Sequence, residues 1–264
     1  MRHLRRRLKA ALQGRRMRRV VLELFAGSGR LTEAVKRRAL AGLDLDLRHG
    51  AVEDHLRAAF KDTLKGWLGS RVAGAVWLGT PCTTWTQALR SPLRSGARPM
   101  GLPGLLAHER EKLRIGNLSF NMSCDVIEIC IQRGIPVIIE NPAGSLIWRA
   151  RRLRRLLQHQ SAQMITFDCC QFGSAWRKRT SLAAWHAVPL QSLAKRCSGR
   201  RGFCSASGQR HTILSGHSGG VHLTAQAAAY PPRFCSAVAR LIEHSMISVS
   251  GRRLHDICIR TSAS

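Results

Sequence analysis

The stretch VVLELFAGSGR, residues 20–30, decides the fold because it predicts a strand, a glycine turn and the start of a helix in immediate succession. VVLELFAG is a short apolar run that ends at glycine, which is typical of a buried strand. The segment SGRLTEAVKRRAL follows and spaces Leu31, Ala34 and Val35 at helical intervals. A buried strand that leads directly into a helix is the first half of an α/β unit.

Further apolar runs repeat this pattern along the chain. VAGAVWLG at 72–79 and GIPVIIENP at 134–142 both end at turn residues, and GNLSFNMSCDVIEICIQRG between them has helical spacing up to Gly134. Strands that alternate with helices predict an α/β fold with a mainly parallel sheet. RRALAGLDLD leaves little room for a helix end and a second strand, so we expect that second strand to be stunted.

The charge balance is the most unusual feature of the composition. Of 264 residues, 43 are Lys or Arg and 15 are Asp or Glu, which gives a formal net charge of +28. Such an excess attracts polyanions, of which nucleic acid is the commonest, although an Arg-rich surface can also serve solubility alone. Residues 1–19 contain no acidic residue and lack the apolar stretch of a secretory signal. We interpret them as a basic arm that contacts nucleic acid, with an organelle presequence as the alternative.

Cysteine usage and hydropathy indicate where such a chain works. Its nine cysteines lack the regular spacing of a secreted disulfide scaffold, which favours free thiols in a reducing compartment. No apolar run approaches the roughly 18 residues of a membrane span. We therefore expect a soluble intracellular monomer that contacts no membrane and, given its charge, associates with nucleic acid, in the nucleus if the cell is eukaryotic.

In an open α/β sheet, ligands bind beyond the carboxyl ends of the strands, and the first two such places carry suggestive residues. The glycines of FAGSGR, residues 25–30, let a ligand approach the backbone, or they simply form a tight turn. In GLDLD, either Asp46 or Asp44 binds ribose hydroxyls, or both are solvated loop residues.

Two later strand ends carry reactive side chains. Cys82 in GTPCTTW, residues 79–85, follows a proline; on its own, a cysteine there is more often buried filler than a nucleophile. Glu140 in IIENP follows apolar residues, where a carboxylate is costly unless it has a partner, a task or access to water.

The order FAGSG, PC and ENP, each at a strand end, resembles the DNA cytosine-5 methyltransferases over roughly residues 20–182. The phrase FGSAWRKRT at 172–180 is similar to small, divergent members of that family from phages and mobile elements. The resemblance implies a Rossmann-like, S-adenosylmethionine-dependent methyltransferase fold with a small irregular C-terminal region. It implies cofactor contacts from Phe25, Ala26, Gly27, Gly29, Pro81 and either Asp46 or Asp44.

The resemblance also implies a mechanism on a cytosine that is flipped out of the DNA duplex. The Cys82 thiolate would attack carbon 6, Glu140 would hold the exocyclic amine and protonate nitrogen 3, and Lys178 would keep a positive charge near the substrate. Lys178 and the flanking Trp176 and Thr180 stand where the family commonly has a Gln and two Arg. The implied substrate contacts are Asn141, Pro142, Arg90, Arg94 and Thr180.

The rest of the chain divides around this core. The Pro-, Gly- and Arg-rich segment 90–108 is predicted to be a mobile loop that closes over the base. We expect a basic arm at 1–19, a catalytic core at 20–182, a small recognition region at 183–228 and a C-terminal helix and tail at 229–264. That helix, which starts within YPPRF, packs either beside the cofactor pocket or as a plain core helix.

Two questions stay open at the level of sequence. Cys170, Cys197, Cys204 and His211 either bind a structural zinc ion or are unligated, because their spacing matches no standard zinc knuckle. The chain is either an active DNA cytosine-5 methyltransferase or a basic nucleic-acid-binding protein that has lost turnover. An RNA cytosine methyltransferase is a third reading, although proline-cysteine is the DNA-type pattern.

Overall fold

A computed structural model describes residues 2–15, 17, 19–87, 91–187, 189–214, 216–218 and 221–261. Six strands form one sheet in the order β2-β1-β3-β4-β6-β5. They are β1 Val20–Leu24, β2 Ala41–Leu45, β3 Ala73–Leu78, β4 Val137–Pro142, β5 Gln163–Asp168 and β6 Arg179–Trp185. Only β6 runs antiparallel to its neighbours, β4 and β5, which confirms the predicted α/β fold with a mainly parallel sheet.

Helices cover both faces of this sheet. They are α1 Arg2–Leu12, α2 Arg30–Arg37, α3 Ala58–Gly69, α4 Ala107–Arg133, α5 Arg151–Leu156, α6 Leu223–Gln226 and α7 Pro232–Thr261. Leu4 of α1, Phe60 of α3 and Phe120 of α4 are buried in the core on one face. The opposite core holds Val35 of α2 and Phe234 of α7, together with strand residues of that face. Within the described ranges, no helix is long and apolar enough to cross a membrane.

The sheet changes its winding direction at β1. The chain passes from β1 through α2 to β2 on one side and then crosses back to β3 on the other side of β1. Connections that leave in opposite directions open a crevice at the carboxyl ends of the adjacent strands, where α/β proteins bind ligands. The residues at 25–29 and 79–82 therefore face a ready-made cleft.

The prediction of a stunted second strand is wrong. β2 has five residues, and they pair in register with all five of β1, from Val20 opposite Ala41 to Leu24 opposite Leu45. A short connection suffices because Gly42 lets α2 pack directly on β2: a Cβ at this position would lie 3.2 Å from Thr32. The strand that carries Asp44 and directly precedes Asp46 is therefore complete.

The basic arm is more structured than its composition indicates. Residues 2–12 form α1, which buries Leu4 completely and packs along the first two strands. Arg7 reaches inward and forms ion pairs with Asp44 and Glu53. Arg5, Arg6 and Lys9 stay exposed. One face of the arm is thus part of the core, and its other face presents cations.

Other boundaries also shift. α4 ends at Gly134, as predicted, in a left-handed cap with φ 63°. The described residues 91–106 form no helix or strand, and α4 begins at Ala107, inside the predicted loop 90–108. β6 continues to Trp185, so the predicted boundary after residue 182 falls inside a strand. A short hairpin of β7 His217–Ser218 and β8 Val221–His222 precedes α6.

Candidate active site

A cavity of about 260 Å³ lies at the carboxyl ends of β1, β2 and β3, in the crevice where the winding reverses. Its walls are mainly apolar, with carboxylates on one side. The lining residues are Leu24, Phe25, Leu45, Asp46, Leu47, Glu53, His55, Phe60, Gly79, Pro81 and Met122. Three of the predicted cofactor residues, Phe25, Asp46 and Pro81, are therefore brought together at one cavity.

The FAGSG turn has a backbone that requires its glycines. Gly27 and Gly29 have φ values of 54° and 66°, in the left-handed region that side chains rarely adopt. Phe25 itself has φ 56°, and its ring lies edge-on to the His55 ring at 4.9 Å. The buried Ala26 donates its N–H to the Leu45 carbonyl at 3.3 Å. This strained turn thus places an aromatic ring in the cavity wall and ties β1 to the end of β2.

Asp46 and Asp44 take different positions. Asp46 lines the cavity, and its carboxylate accepts hydrogen bonds from the backbone N–H groups of Gly27 and Arg48. Burial acts to raise the pKa of Asp46, but these hydrogen bonds and the Arg48 charge outweigh it and lower that pKa. Asp44 instead pairs with Arg7 and His49 on the α1 side. The geometry therefore favours Asp46 as the acid that meets a ligand.

The cavity also contains residues that the sequence analysis missed. Glu53 has a fully buried carboxylate and pairs with Arg7 and His49. His55 contacts Ser119 at 2.8 Å, and its burial lowers its pKa. Both come from the irregular stretch between β2 and α3, which carries no motif. Only the tertiary fold brings them to the strand ends.

Cys82 lies just past β3, next to the cavity residue Pro81. Its carbonyl accepts hydrogen bonds from the N–H groups of Trp85 and Thr86, which holds the loop in a tight turn. The residue is partly exposed. Burial raises the pKa of the Cys82 thiol, the nearby Glu140 carboxyl raises it further, and the Lys178 charge lowers it. Cys82, Glu140 and Lys178 therefore form one electrostatic unit, although they come from three separate elements.

Glu140 is the buried acid of this unit. Its Oε2 accepts a hydrogen bond from the Tyr230 hydroxyl at 3.0 Å, and its Oε1 has no hydrogen-bond partner among the described residues. Burial raises the pKa of Glu140, while Lys178 and the Tyr230 hydrogen bond act in the opposite direction. A buried polar atom without a partner is uncommon and calls for an explanation. Here it indicates a place for a ligand that offers a donor or acceptor.

Asn141 and Tyr230 complete the surroundings of Glu140. Asn141 is fully buried and donates from Nδ2 to the Thr80 carbonyl at 2.8 Å, which links β4 to the Cys82 loop. Tyr230, just before α7, also accepts a hydrogen bond from Trp77 Nε1 at 3.2 Å. A side chain on Gly79 would lie 3.1 Å from the Tyr230 hydroxyl. The sequence analysis missed Tyr230, the single tyrosine of the chain, although it placed the following helix beside the pocket as one alternative.

The remaining predicted substrate residues differ in position. Pro142 ends β4, and its carbonyl accepts the indole N–H of Trp148 at 2.9 Å. Thr180 is buried in β6, opposite Pro142. Lys178 donates to the Ala227 carbonyl at 3.3 Å. These contacts give Pro142 and Thr180 a supporting role behind the site and leave Lys178 as its nearby cation.

Arg94, a predicted substrate contact, is buried in this structure. Its guanidinium lies 3.5 Å from the Trp85 ring centre and donates to Thr84, Pro99 and Asn117. The residue is 3% exposed, and burial lowers its pKa to about 10. Arg94 thus anchors the loop that follows Cys82 to α4. Arg90, the other predicted contact, lies outside the described residues.

The predicted metal residues do converge, away from the cavity. Cys170, Cys197, Cys204 and His211 place their sulfur and nitrogen atoms within 4.8 Å of one another. The three cysteines are buried and His211 is half-buried. Burial acts to raise the pKa of Cys197, but hydrogen bonds from the Ser205 hydroxyl and from backbone N–H groups outweigh it and lower that pKa.

Comparisons with known proteins give partial structural likenesses. No protein-family model matches the chain, and no curated protein matches it. The S. pombe Dnmt2 methyltransferase aligns with 63% of this chain and 49% of its own, at 14% identity and a TM-score of 0.37. A Spodoptera frugiperda DNMT2 mutant aligns with 63% and 50% of the two chains, at 16% identity and a TM-score of 0.35. The Entamoeba histolytica methyltransferase EhMeth aligns with 64% and 53%, at 12% identity and a TM-score of 0.39.

The chain thus spans about half the length of these structures. At TM-scores below 0.5, the alignments by themselves establish no shared activity. The chemistry must follow from the residues at the chain's own strand ends.

The surroundings of Cys82 predict how its thiol reacts. Because burial and Glu140 raise its pKa, iodoacetamide should alkylate Cys82 slowly at pH 7 and faster as the pH rises past 9. Lys178→Gln removes the charge that lowers this pKa, so the rate profile should shift to higher pH. Peptide mapping by mass spectrometry measures the Cys82 rate separately from those of the other thiols. Arg154→Gln, at an exposed position on α5, is the control; an equal shift in both variants would contradict the proposed unit.

Proposed function

We propose that this chain transfers a methyl group from S-adenosylmethionine to carbon 5 of cytosine in DNA, through a covalent adduct with Cys82. The observation that carries the proposal is the pairing of Cys82 with Glu140, a buried acid whose Oε1 has no partner in the described part of the chain. A nucleophile and an acid that interact electrostatically at neighbouring strand ends suit addition to a ring that must be protonated as it is attacked.

The cavity fits the nucleoside part of the cofactor. Its volume of about 260 Å³ is just below the range of about 300 to 1,000 Å³ that is typical of pockets for whole small molecules. Phe25 offers a ring face or edge to a base, and Asp46 offers an ionised acceptor to ribose hydroxyls. The left-handed backbone at Gly27 and Gly29 lets a ligand approach the start of α2. When bound, S-adenosylmethionine supplies an electrophilic methyl group on a positively charged sulfur.

Cys82 supplies the electron pair that makes the cytosine reactive. Carbon 5 is a poor nucleophile, and addition of the thiolate to carbon 6 converts the ring into an enamine-like form that accepts a methyl group there. Loss of the proton from carbon 5 then returns an electron pair to the ring, and the carbon–sulfur bond breaks to regenerate the thiolate. Because the Cys82 pKa is raised in the free protein, binding of substrate beside Lys178 has to favour the ionised form.

Glu140 supplies the proton that balances this addition. Its raised pKa favours the acid form, and the Tyr230 hydroxyl already occupies Oε2. The acid proton therefore belongs on Oε1, the oxygen that is free to donate to ring nitrogen 3. Asn141, next to Glu140 in β4, donates to the Thr80 carbonyl and so fixes the position of the Cys82 loop relative to Glu140. Tyr230 thus acts as a positioning residue for the acid.

A nucleic acid substrate agrees with the charge distribution. The +28 excess includes an arginine surface around α5, formed by Arg149, Arg151, Arg154 and Arg155. Such cations bind phosphates without regard to sequence. Because the reactive carbons of cytosine are stacked inside a duplex, the base has to be flipped toward Cys82 and Glu140. We infer association with DNA in the cell from the same charges.

The raised pKa of Cys82 favours a second candidate, a nucleic-acid-binding protein that keeps this fold but has lost turnover. The arginine surface would support such binding without any contribution from Cys82. An RNA cytosine methyltransferase is a variant of the first candidate, since the same chemistry operates on either sugar backbone.

The geometry predicts which aspartate contributes to cofactor binding. Asp46→Asn should weaken S-adenosylmethionine binding about tenfold, because a charge-assisted hydrogen bond contributes roughly 1.5 kcal/mol. Asp44→Asn, two residues earlier in β2, is the matched control and should change the affinity less than about twofold. Isothermal titration calorimetry measures both constants. Equal losses in the two variants would reject the assignment of Asp46.

A trapping assay tests the proposed reaction itself. Fluorine at carbon 5 cannot leave as the proton does, so a 5-fluorocytosine duplex should stay bonded to Cys82 after methyl transfer. We expect an adduct on denaturing gels with wild type, no adduct with Cys82→Ala, and at least a hundredfold slower adduct formation with Glu140→Gln, in the lower range for loss of a general acid.

Control variants and substrates separate the candidates. Cys124 is a free thiol that is buried, and Cys124→Ala should leave adduct formation intact. A single-stranded RNA carrying 5-fluorocytosine should give less adduct than the DNA duplex; the reverse order would favour the RNA enzyme. Tight, salt-sensitive DNA binding by wild type without any adduct would instead support the binding protein.

A further inference from the structure

We propose that Cys170, Cys197, Cys204 and His211 bind one Zn²⁺ ion, which holds residues 197–211 against the main sheet. This site lies outside the cavity and does not depend on the proposed methyl transfer. Three thiolates and one imidazole match the Cys₃His set of closed structural zinc sites.

The distances suit a tetrahedral ion. With Zn–S near 2.3 Å and Zn–N near 2.0 Å, the edges of a tetrahedron are about 3.6–3.8 Å long. Cys197 Sγ lies 3.7 Å from His211 Nε2, and all four ligand atoms lie within 4.8 Å of one another. Small side-chain adjustments would therefore close the site around one ion.

The surroundings of the sulfurs also suit thiolate ligands. The Ser205 N–H and hydroxyl both point at Cys197 Sγ, at 3.4 and 3.5 Å, and donors of this kind stabilise negative sulfur. Gln171 donates from Nε2 toward Cys170 Sγ at 3.6 Å. Such second contacts orient metal ligands and offset their charge.

The segment buries little apolar surface of its own. Between residues 198 and 212, only Cys204 is buried, and Phe203 is 46% exposed. The only residues in the local core are Cys170, Cys197 and Cys204. A stretch this poor in buried apolar area normally needs a metal or disulfide staple to hold one conformation. Six residues separate Cys197 from Cys204, and six separate Cys204 from His211.

The staple would connect this loop to the active-site side of the sheet. Asp168, at the end of β5, accepts the Cys197 N–H at 2.9 Å and pairs with Arg177, Arg179 and Arg196. Arg177 also donates to the Cys197 carbonyl at 2.8 Å. Lys178 lies between two of these arginines. A metal that fixes Cys197 therefore also fixes the backbone that carries Lys178.

Metal analysis of the full-length protein, purified under reducing conditions, tests the site. Inductively coupled plasma mass spectrometry should find about one zinc ion per chain. Cobalt(II) exchanged into the protein should show the strong visible bands of tetrahedral coordination and the near-ultraviolet bands of thiolate ligands. Trypsin should cleave after Arg200, Arg201 and Arg210 faster once the metal has been removed by a chelator.

Variants assign the ligands. Cys204→Ser should lose at least nine-tenths of the zinc, and His211→Cys should keep it as a Cys₄ site. Cys169→Ala is the matched control, because Cys169 is a buried neighbour of Cys170 outside the cluster, and it should keep its zinc. If Cys204→Ser fails to fold, the thiolate bands of the cobalt-loaded wild type still show whether cysteines bind the metal.

Defined outcomes would overturn the proposal. The first is wild-type protein that contains no zinc and shows no tetrahedral cobalt bands. The second is an intact mass that shows a disulfide among these cysteines although the protein was purified under reducing conditions. The third is an equal loss of zinc in Cys169→Ala and Cys204→Ser. A wild-type protein that lacks zinc but forms the normal adduct with 5-fluorocytosine DNA would reject the zinc proposal and leave the methyltransferase proposal intact. A protein that binds zinc but forms no adduct with 5-fluorocytosine DNA would support the zinc proposal and reject the methyltransferase proposal.

Discussion

The burial of Glu140 at the end of β4 is the constraint to which the rest of the site responds. A carboxyl group removed from water is destabilising unless it is protonated, paired or hydrogen-bonded. Here Tyr230, just before α7, contributes its hydroxyl, Lys178, just before β6, contributes its charge, and one oxygen is left without a partner among the described residues. The sheet thus holds Glu140 where its carboxyl group can exchange a proton with a ligand that binds next to Cys82.

The parallel sheet explains why this acid meets a thiol and a cavity. β1, β3 and β4 are neighbours, so the residues that follow them emerge at one edge. The winding reverses at β1, and the cleft opened there holds Phe25 and Asp46. Cofactor and base would approach from the same edge, with Cys82 between them. The arginine surface and the exposed face of α1 add the positive charge that draws a polyanion toward it.

Site residues that lie within a short local motif could be predicted from the sequence. Site residues that only the tertiary fold brings together could not. The strand ends at Phe25, Cys82 and Glu140 follow from apolar runs broken by turn residues. Tyr230 lies ninety positions from Glu140 in the chain, so no local pattern connects them. Arg94 stands in a Pro-, Gly- and Arg-rich loop and is a predicted substrate contact, but stacking on Trp85 and acceptors from three residues draw it inside. The second strand seemed too short because the sequence does not show how closely Gly42 lets α2 approach.

Hydrogen exchange at carbon 5 of cytosine tests the central claim most directly, because it needs Cys82 and Glu140 but no methyl donor. Addition of the thiolate to carbon 6 makes carbon 5 basic, so reversal of the addition in D₂O should leave deuterium at that carbon. Mass spectrometry of a DNA duplex incubated with wild type should show this deuterium, and Cys82→Ser should abolish its incorporation. Equal incorporation with both proteins, or none with wild type bound to the duplex, would contradict a nucleophilic Cys82.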